Sequence, residues 1–203
     1  MKLGIVDVGI GNAKSVANVL LREDVPFKLF SDPRELESFN KVVLPGVGSF
    51  DANMKILNDL GFPNVLKQAN DKGMLILGIC LGAQLLLSGS DEGVLPGLNL
   101  IPGTSKEFVK SSQFKVPHMG WNSVDQIRDS ELTRQIENNE RFYFAHSFYM
   151  TTDNPIHSIA ETSYGGRFSS IIQKDNCYGV QFHPEKSHSQ GIQLLTNFAN
   201  LNV

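Results

Sequence analysis

The feature that most restricts the architecture is an unbroken apolar run, Met74-Leu75-Ile76-Leu77, that passes through Gly78-Ile79 directly into Cys80-Leu81-Gly82-Ala83-Gln84. A strand with no polar side must be covered on both faces, which is the situation of a strand inside a parallel sheet. Leu3 to Val6, Phe27 to Phe30 and Lys41 to Leu44 read as further short strands, the last stopped by Pro45-Gly46. Helical periodicity separates them. Ala13 to Leu21 carries apolar residues at Val16, Val19 and Leu20, and Asp51 to Leu60, Asn64 to Asn70 and Leu81 to Leu87 follow the same pattern. This βαβα alternation predicts an α/β fold: a mostly parallel central sheet with helices on both faces.

The second half changes character. Phe142 to Tyr149, Ser158 to Thr162, Phe168 to Gln173 and Tyr178 to Phe182 are closely spaced strands, with turns at Tyr164-Gly165-Gly166 and Asp175-Asn176. They predict an antiparallel extension of the same sheet, closed by a helix over Ile192 to Phe198. No repeat, linker or low-complexity segment interrupts the 203 residues, so a single domain over 1–203 is expected.

A net charge of −3 without a Lys/Arg cluster excludes a broad nucleic-acid or anionic-membrane surface. No apolar run is long enough to span a bilayer. Met1 to Asp7 reads as the first strand, not as a signal peptide. Cys80 and Cys177 are the two cysteines, outside any CxxC pattern or zinc-type spacing. Free thiols in the cytosol are expected, with no metal and no cofactor.

The chemistry concentrates in three segments. Gly78-Ile79-Cys80-Leu81-Gly82 joins a strand to a helix through a sharp turn, the cysteine form of a nucleophile elbow. Such a turn crowds its neighbours, and a missing Cβ on either side relieves the crowding. The sulfur then sits at a helix N-terminus, which favours a thiolate. A nucleophile of this kind needs a base, and the base needs an orienting group. Gln181-Phe182-His183-Pro184-Glu185 supplies both: His183 closes an apolar strand, Pro184 breaks it, and Glu185 follows at its mouth. Taken singly, each has a bland reading as a buried thiol, a strand-end histidine or a surface carboxylate. Together they form a Cys-His-Glu triad at the carboxyl ends of parallel strands, where sites of such sheets gather. The third segment, Leu44-Pro45-Gly46-Val47-Gly48-Ser49-Phe50, is either an ordinary βα turn or a source of backbone N–H groups for an oxyanion. The N–H of Leu81 is the natural second donor.

The remaining candidates are weaker. His118 reads as a structural loop histidine and as a rival base only in second place. His146 lies on a half-buried strand whose face can line a pocket. His157 and His188 read as surface residues. Trp121, in a loop setting, fits either core or interface. Gly9-Ile10-Gly11-Asn12 lacks the third glycine and the acidic residue of a dinucleotide loop.

Gly78-Ile79-Cys80-Leu81-Gly82, Pro45-Gly46-Val47-Gly48 and Phe182-His183-Pro184-Glu185 together resemble the class I (triad) glutamine amidotransferases. Lys115 to Asn122, Tyr143 to Ser147 and His183 to Ser187 narrow the resemblance to the glutaminase subunits of imidazole glycerol phosphate synthase, end to end. The resemblance implies that Cys80 attacks L-glutamine, His183 shuttles the proton and Glu185 holds His183. It implies an oxyanion site at Val47, Gly48 and Leu81. Glutamine would be held by Gly46, Gln84, His146, Ser147 and Phe148. Ammonia would pass to a (βα)8-barrel cyclase subunit in a heterodimer, in histidine biosynthesis. Asn12, Trp121, Tyr143 and Lys186 match positions at the partner face. Two departures, Val8 before Gly9 and Ala83 where methionine is usual, leave room for a paralogue feeding a sugar-modifying synthase of surface polysaccharide assembly. A non-catalytic regulatory module of the same fold, and a stand-alone cysteine hydrolase, are the other readings.

Overall fold

The computed structural model describes residues 3–109, 112 and 114–202; Met1 and Lys2, read above as part of the first strand, lie outside them. The first half alternates as expected: β1 (Leu3–Val6), α1 (Ala13–Arg22), β2 (Phe27–Phe30), β3 (Lys41–Gly46), α2 (Phe50–Leu60), α3 (Phe62–Asp71), β4 (Leu75–Cys80) and α4 (Leu81–Leu85). The second half contributes β5 (Gly89–Ser90), β6 (Gly103–Glu107), β7 (His118–Ser123), β8 (Asp125–Gln126), β9 (Arg141–His146), β10 (Phe148–Thr152), β11 (Ser158–Ser163), β12 (Arg167–Lys174), β13 (Cys177–Val180) and α5 (His188–Asn200).

The main sheet runs β2-β1-β3-β4-β13-β12-β10-β6-β5, with β11 and β8 attached at β12. From β2 to β13 every pairing is parallel, and the β13–β12, β12–β10 and β10–β6 pairings are antiparallel. The mostly parallel sheet and its antiparallel extension are therefore as the sequence predicts. Side-chain alternation builds the two cores. Val43, Leu75, Leu77 and Ile79 face α1 and α5, through Val16, Leu20, Leu194 and Phe198. Val42, Leu44 and Ile76 face α2 and α3, through Phe50, Leu57, Phe62 and Leu66.

Several expectations need correction. Pro45-Gly46 does not stop β3, which continues to pair Pro45 with Ile79 and Gly46 with Cys80. Pairing to β1 ends at Val43, so Pro45 sits where its missing N–H has no ladder partner to lose. The single strand read over Phe142 to Tyr149 is two strands, broken at Ser147, and β9 leaves the main sheet to pair with β7. The segment of His118 and Trp121 is thus a strand, not a loop. The helix after Cys80 is short, closing by a turn from Leu87 N–H to Gln84 O. Finally, α3 and α5 begin earlier than their apolar periodicity. Gly61, at φ +82°, ends α2 and launches α3 through Pro63, while the polar first turn of α5 carries no periodic signal.

Candidate active site

Register brings the three segments together. Gly46 pairs with Cys80 and Val180 pairs with Ile79, so the ends of β3, β4 and β13 open on one edge of the sheet. Cys80 occupies φ 54°, ψ −113°, a conformation that costs an L-residue free energy and is held by its surroundings. Those surroundings require glycine. A Cβ on Gly82 would strike the carbonyl of Leu44, and one on Gly78 would lie 2.6 Å from Ala83 Cα. The elbow is pressed against β3, which is why the spacing carries information.

His183 is buried and hydrogen-bonded on both sides. Nδ1 meets Glu185 Oε1 at 2.8 Å, and the other side of the ring meets Cys80. Burial alone would lower its pKa, but the hydrogen bonds to Cys80 and Glu185, with their charges, outweigh it and raise it to about 10. The backbone is pinned as firmly as the ring. His183 N–H donates to Tyr143 O at 2.8 Å. Ser187 Oγ donates to His183 O at 2.6 Å and accepts from Tyr143 N–H at 3.0 Å.

A pocket of about 340 Å³ opens over Cys80 and His183. Its lining includes Val47, Gly48, Leu81, Gln84, His146, Ser147 and Phe148, all expected, together with Glu92, Pro117, Met119 and Ala145, which the sequence reading missed. Gly46 stands behind, paired to Cys80. Val47 N–H donates to Ile10 O at 2.7 Å, Val47 O accepts from Asn53 Nδ2 at 3.1 Å, and Gly48 has φ +90°. Glu92 lies in the turn after β5 and accepts from Phe50 N–H at 2.9 Å; burial pushes its pKa up. Nothing local marks it. Asp51, which accepts from Val94 and Leu95 N–H, holds this turn against the start of α2 across more than forty residues of chain. Gln181 was detectable, as a buried amide in an apolar strand. It accepts from Gln84 Nε2 at 3.1 Å, and its own Nε2 lies 4.0 Å from Cys80 Sγ.

Three of the partner-face candidates, Trp121, Tyr143 and Lys186, are gathered together. Trp121 stacks on His188 at 4.8 Å and meets Tyr143 edge-on at 6.2 Å. Lys186 Nζ lies 5.8 Å from the Tyr143 ring centroid. Asn12 caps α1, accepting from Ser15 N–H at 3.3 Å. His118 is not a rival base. It is buried and bonded to His146 at 2.9 Å. Cys177 is buried at the far end of β13, and burial drives its thiol pKa far up. His157 is partly buried and His188 exposed. Among the described residues no cluster could hold a metal ion, and no helix is long and apolar enough to cross a membrane.

The family glutamine amidotransferase class-I matches residues 4–201. The chain belongs to the class I glutamine amidotransferases. Among curated relatives of this family it is 44% identical to imidazole glycerol phosphate synthase subunit HisH of Leptospira interrogans, covering 98% of this chain and 100% of the relative. It is 44% identical to the HisH subunit of Bdellovibrio bacteriovorus (97% and 98% covered). It is 41% identical to subunit HisH 2 of Pseudomonas aeruginosa (97% and 98% covered). In fold it is similar to PurLQS from Thermotoga maritima, with a TM-score of 0.74 at 18% identity, covering 98% of this chain and 97% of that one.

Histidine titration at this amidotransferase site makes stability depend on pH from both sides. Burial depresses His118 to about 4 and His146 to about 3, below the ordinary value near ~6.5. Their contribution is complete above that value and is lost progressively as pH falls from it through the folded values of about 4 and about 3. His183 is raised, so its contribution is complete below pH ~6.5 and is lost as pH rises towards 10. Urea unfolding from pH 3 to 10 should give a stability maximum near neutrality. A profile flat between pH 7 and 4 would contradict the acid limb.

Proposed function

We propose that the chain is the glutaminase of a two-subunit synthase, hydrolysing L-glutamine to glutamate and ammonia with Cys80, His183 and Glu185. The observation that carries this is His183, buried beside Cys80 and hydrogen-bonded through Nδ1 to Glu185 Oε1 at 2.8 Å, two neighbours that raise its pKa. The sulfur attacks the side-chain amide carbon, and the imidazolium gives its proton to the departing nitrogen, releasing ammonia and leaving a thioester. The now neutral His183 takes a proton from water, whose oxygen attacks the thioester. Collapse of that second tetrahedral species expels the thiolate, leaves His183 protonated as at the start, and frees glutamate, whose carboxyl proton goes to solvent. Glu185 fixes the ring throughout. Leu81 N–H, with a donor from Val47 or Gly48, faces the oxyanion. Gln84 and the backbone of His146, Ser147 and Phe148 line the substrate, Gly46 backs the elbow from β3, and Glu92 supplies a countercharge for the substrate's ammonium group.

The HisH relatives are named as synthase subunits, which supports a partner. We take it to be a (βα)8-barrel cyclase docked over Asn12, Trp121, Tyr143 and Lys186. The ammonia then completes imidazole glycerol phosphate and the aminoimidazole carboxamide ribotide in the cytoplasm, in histidine biosynthesis. The test is an electrophilic glutamine analogue in the presence of the partner. It should label Cys80 stoichiometrically and spare Cys177. Labelling at Cys177, or none while the complex is intact, would sink the assignment.

A further inference from the structure

The first turn of α2 is capped from outside its own helix. Ser49, at the N-cap position, makes no capping bond with its side chain. The Phe50 N–H donates instead to Glu92 Oε2 at 2.9 Å. Asp51 stands where an acid ordinarily serves the free N–H groups and dipole of its own helix. Its carboxylate is used elsewhere. Oδ2 accepts from Val94 N–H and Oδ1 from Leu95 N–H, both at 3.0 Å. Phe50-Asp51 and the turn of Glu92 to Leu95 therefore hold each other in both directions, a carboxylate from each side on backbone N–H groups of the other.

The space between them is filled. A Cβ on Gly93 would lie 1.9 Å from Asp51 Oδ1 and 2.4 Å from its Cγ, so a side chain there displaces the carboxylate. The near side of the turn is tied to β5 and β6: Glu92 N–H donates to Ser90 Oγ at 3.1 Å, and Asp91 N–H to Ser105 O at 2.8 Å. On the far side Val94 is 93% exposed and offers no packing. Beyond the partly buried Leu95, the grip on that side is Asp51.

The charge of Asp51 works against Glu92. Burial raises the Glu92 pKa, the bond from Phe50 N–H lowers it, and the Asp51 charge raises it again. Removing that charge alone would favour an ionised Glu92 and tighten a cation beside it. Any help that Asp51 gives the pocket must come through geometry.

We propose that Asp51 is a positioning residue of the glutamine site: by gripping the 94–95 backbone across Gly93 it fixes Glu92 in the pocket wall. This rests on the glutaminase reading and on the place which that reading gives Glu92.

The experiment is a double-mutant cycle on glutamine KM and kcat, measured with the complex of chain and partner subunit. Asp51→Ala removes the grip. Gly93→Ala displaces the carboxylate and keeps its charge. Each should raise glutamine KM about tenfold and change kcat by less than about threefold. Combined with Glu92→Gln, neither should raise KM by more than a further factor of about two, because the residue they position has already lost its charge. Thermal unfolding checks that each variant is folded. Asp51→Asn, which keeps one acceptor oxygen, replaces alanine if alanine prevents folding, and its effect should have the same direction. Full additivity in the cycle would place the action of Asp51 in the fold at large and overturn the proposal. So would a loss confined to kcat, or a fall in KM for Asp51→Ala, the sign that charge alone gives. An unchanged KM for Glu92→Gln also overturns it, while continued turnover leaves the glutaminase reading standing. If the wild-type complex does not turn over glutamine at all, that reading itself fails, and with it this one.

Discussion

Alanine at position 80 should abolish glutamine-dependent synthesis by the complex while leaving synthesis from a high concentration of ammonium salt intact. The loss should be large, on the order of 10⁶ in the glutamine-dependent rate, because the covalent route disappears with its nucleophile. Ammonia from bulk solution bypasses the glutaminase and reaches the synthase site directly. The structure makes the substitution a fair probe. Cys80 makes only long polar contacts apart from His183, at 3.9 Å to Ala145 O and 4.0 Å to Gln181 Nε2, so alanine leaves little unsatisfied. The elbow is shaped by Gly78, Gly82 and their packing on β3, not by the sulfur. Loss of the ammonium-dependent reaction in an intact complex would show that this chain does more than supply ammonia.

Local chemistry explains which parts of this molecule could be read in advance. β4 and its elbow were legible because an all-apolar strand, two glycines and a cysteine each demand the same geometry. His183 and Glu185 were legible because Pro184 interrupts the apolar run there, although β13 itself ends earlier, at Val180. The β7–β9 ribbon was not. Its strands are separated by nearly twenty residues containing β8, and His118-Met119-Gly120-Trp121-Asn122 has no apolar face: one side holds the buried, hydrogen-bonded His118 with Gly120 and Asn122, and the other holds exposed Met119 and Trp121, which stacks on His188. Pairing of Phe144 with Gly120 and of Tyr143 with Trp121 is a tertiary event that overrides local propensity. Glu92 was invisible for a related reason. Its place in the pocket depends on Asp51 gripping the 94–95 backbone, a contact between distant segments. The site thus divides into residues placed by their own strand ends and residues placed by docking of remote turns.

The chain alone should hydrolyse glutamine slowly, and docking of the barrel with its acceptor bound should raise the rate by roughly 10²–10³. One oxyanion donor is worth about 2.7–4 kcal/mol, enough to hold the enzyme off while the triad stays assembled. The Gly46-Val47-Gly48 segment is where such a donor can be withheld. Val47 N–H is engaged with Ile10 O at 2.7 Å, and Val47 O with Asn53 Nδ2 at 3.1 Å, so in this arrangement the Val47 N–H is not offered to the pocket. Glycine on either side lets the peptide turn at small steric cost. Turning it gives up the bond to Ile10 O, and the barrel must supply a compensating preference for the turned state of similar size. Trp121, Tyr143 and Lys186 are the contacts expected to carry it, because Tyr143 O and N–H already hold His183 and Ser187. The measurement is glutamine hydrolysis by the chain alone, with the partner, and with the partner plus an acceptor analogue. Val47 need not turn at all if the isolated chain already works at the rate of the full complex.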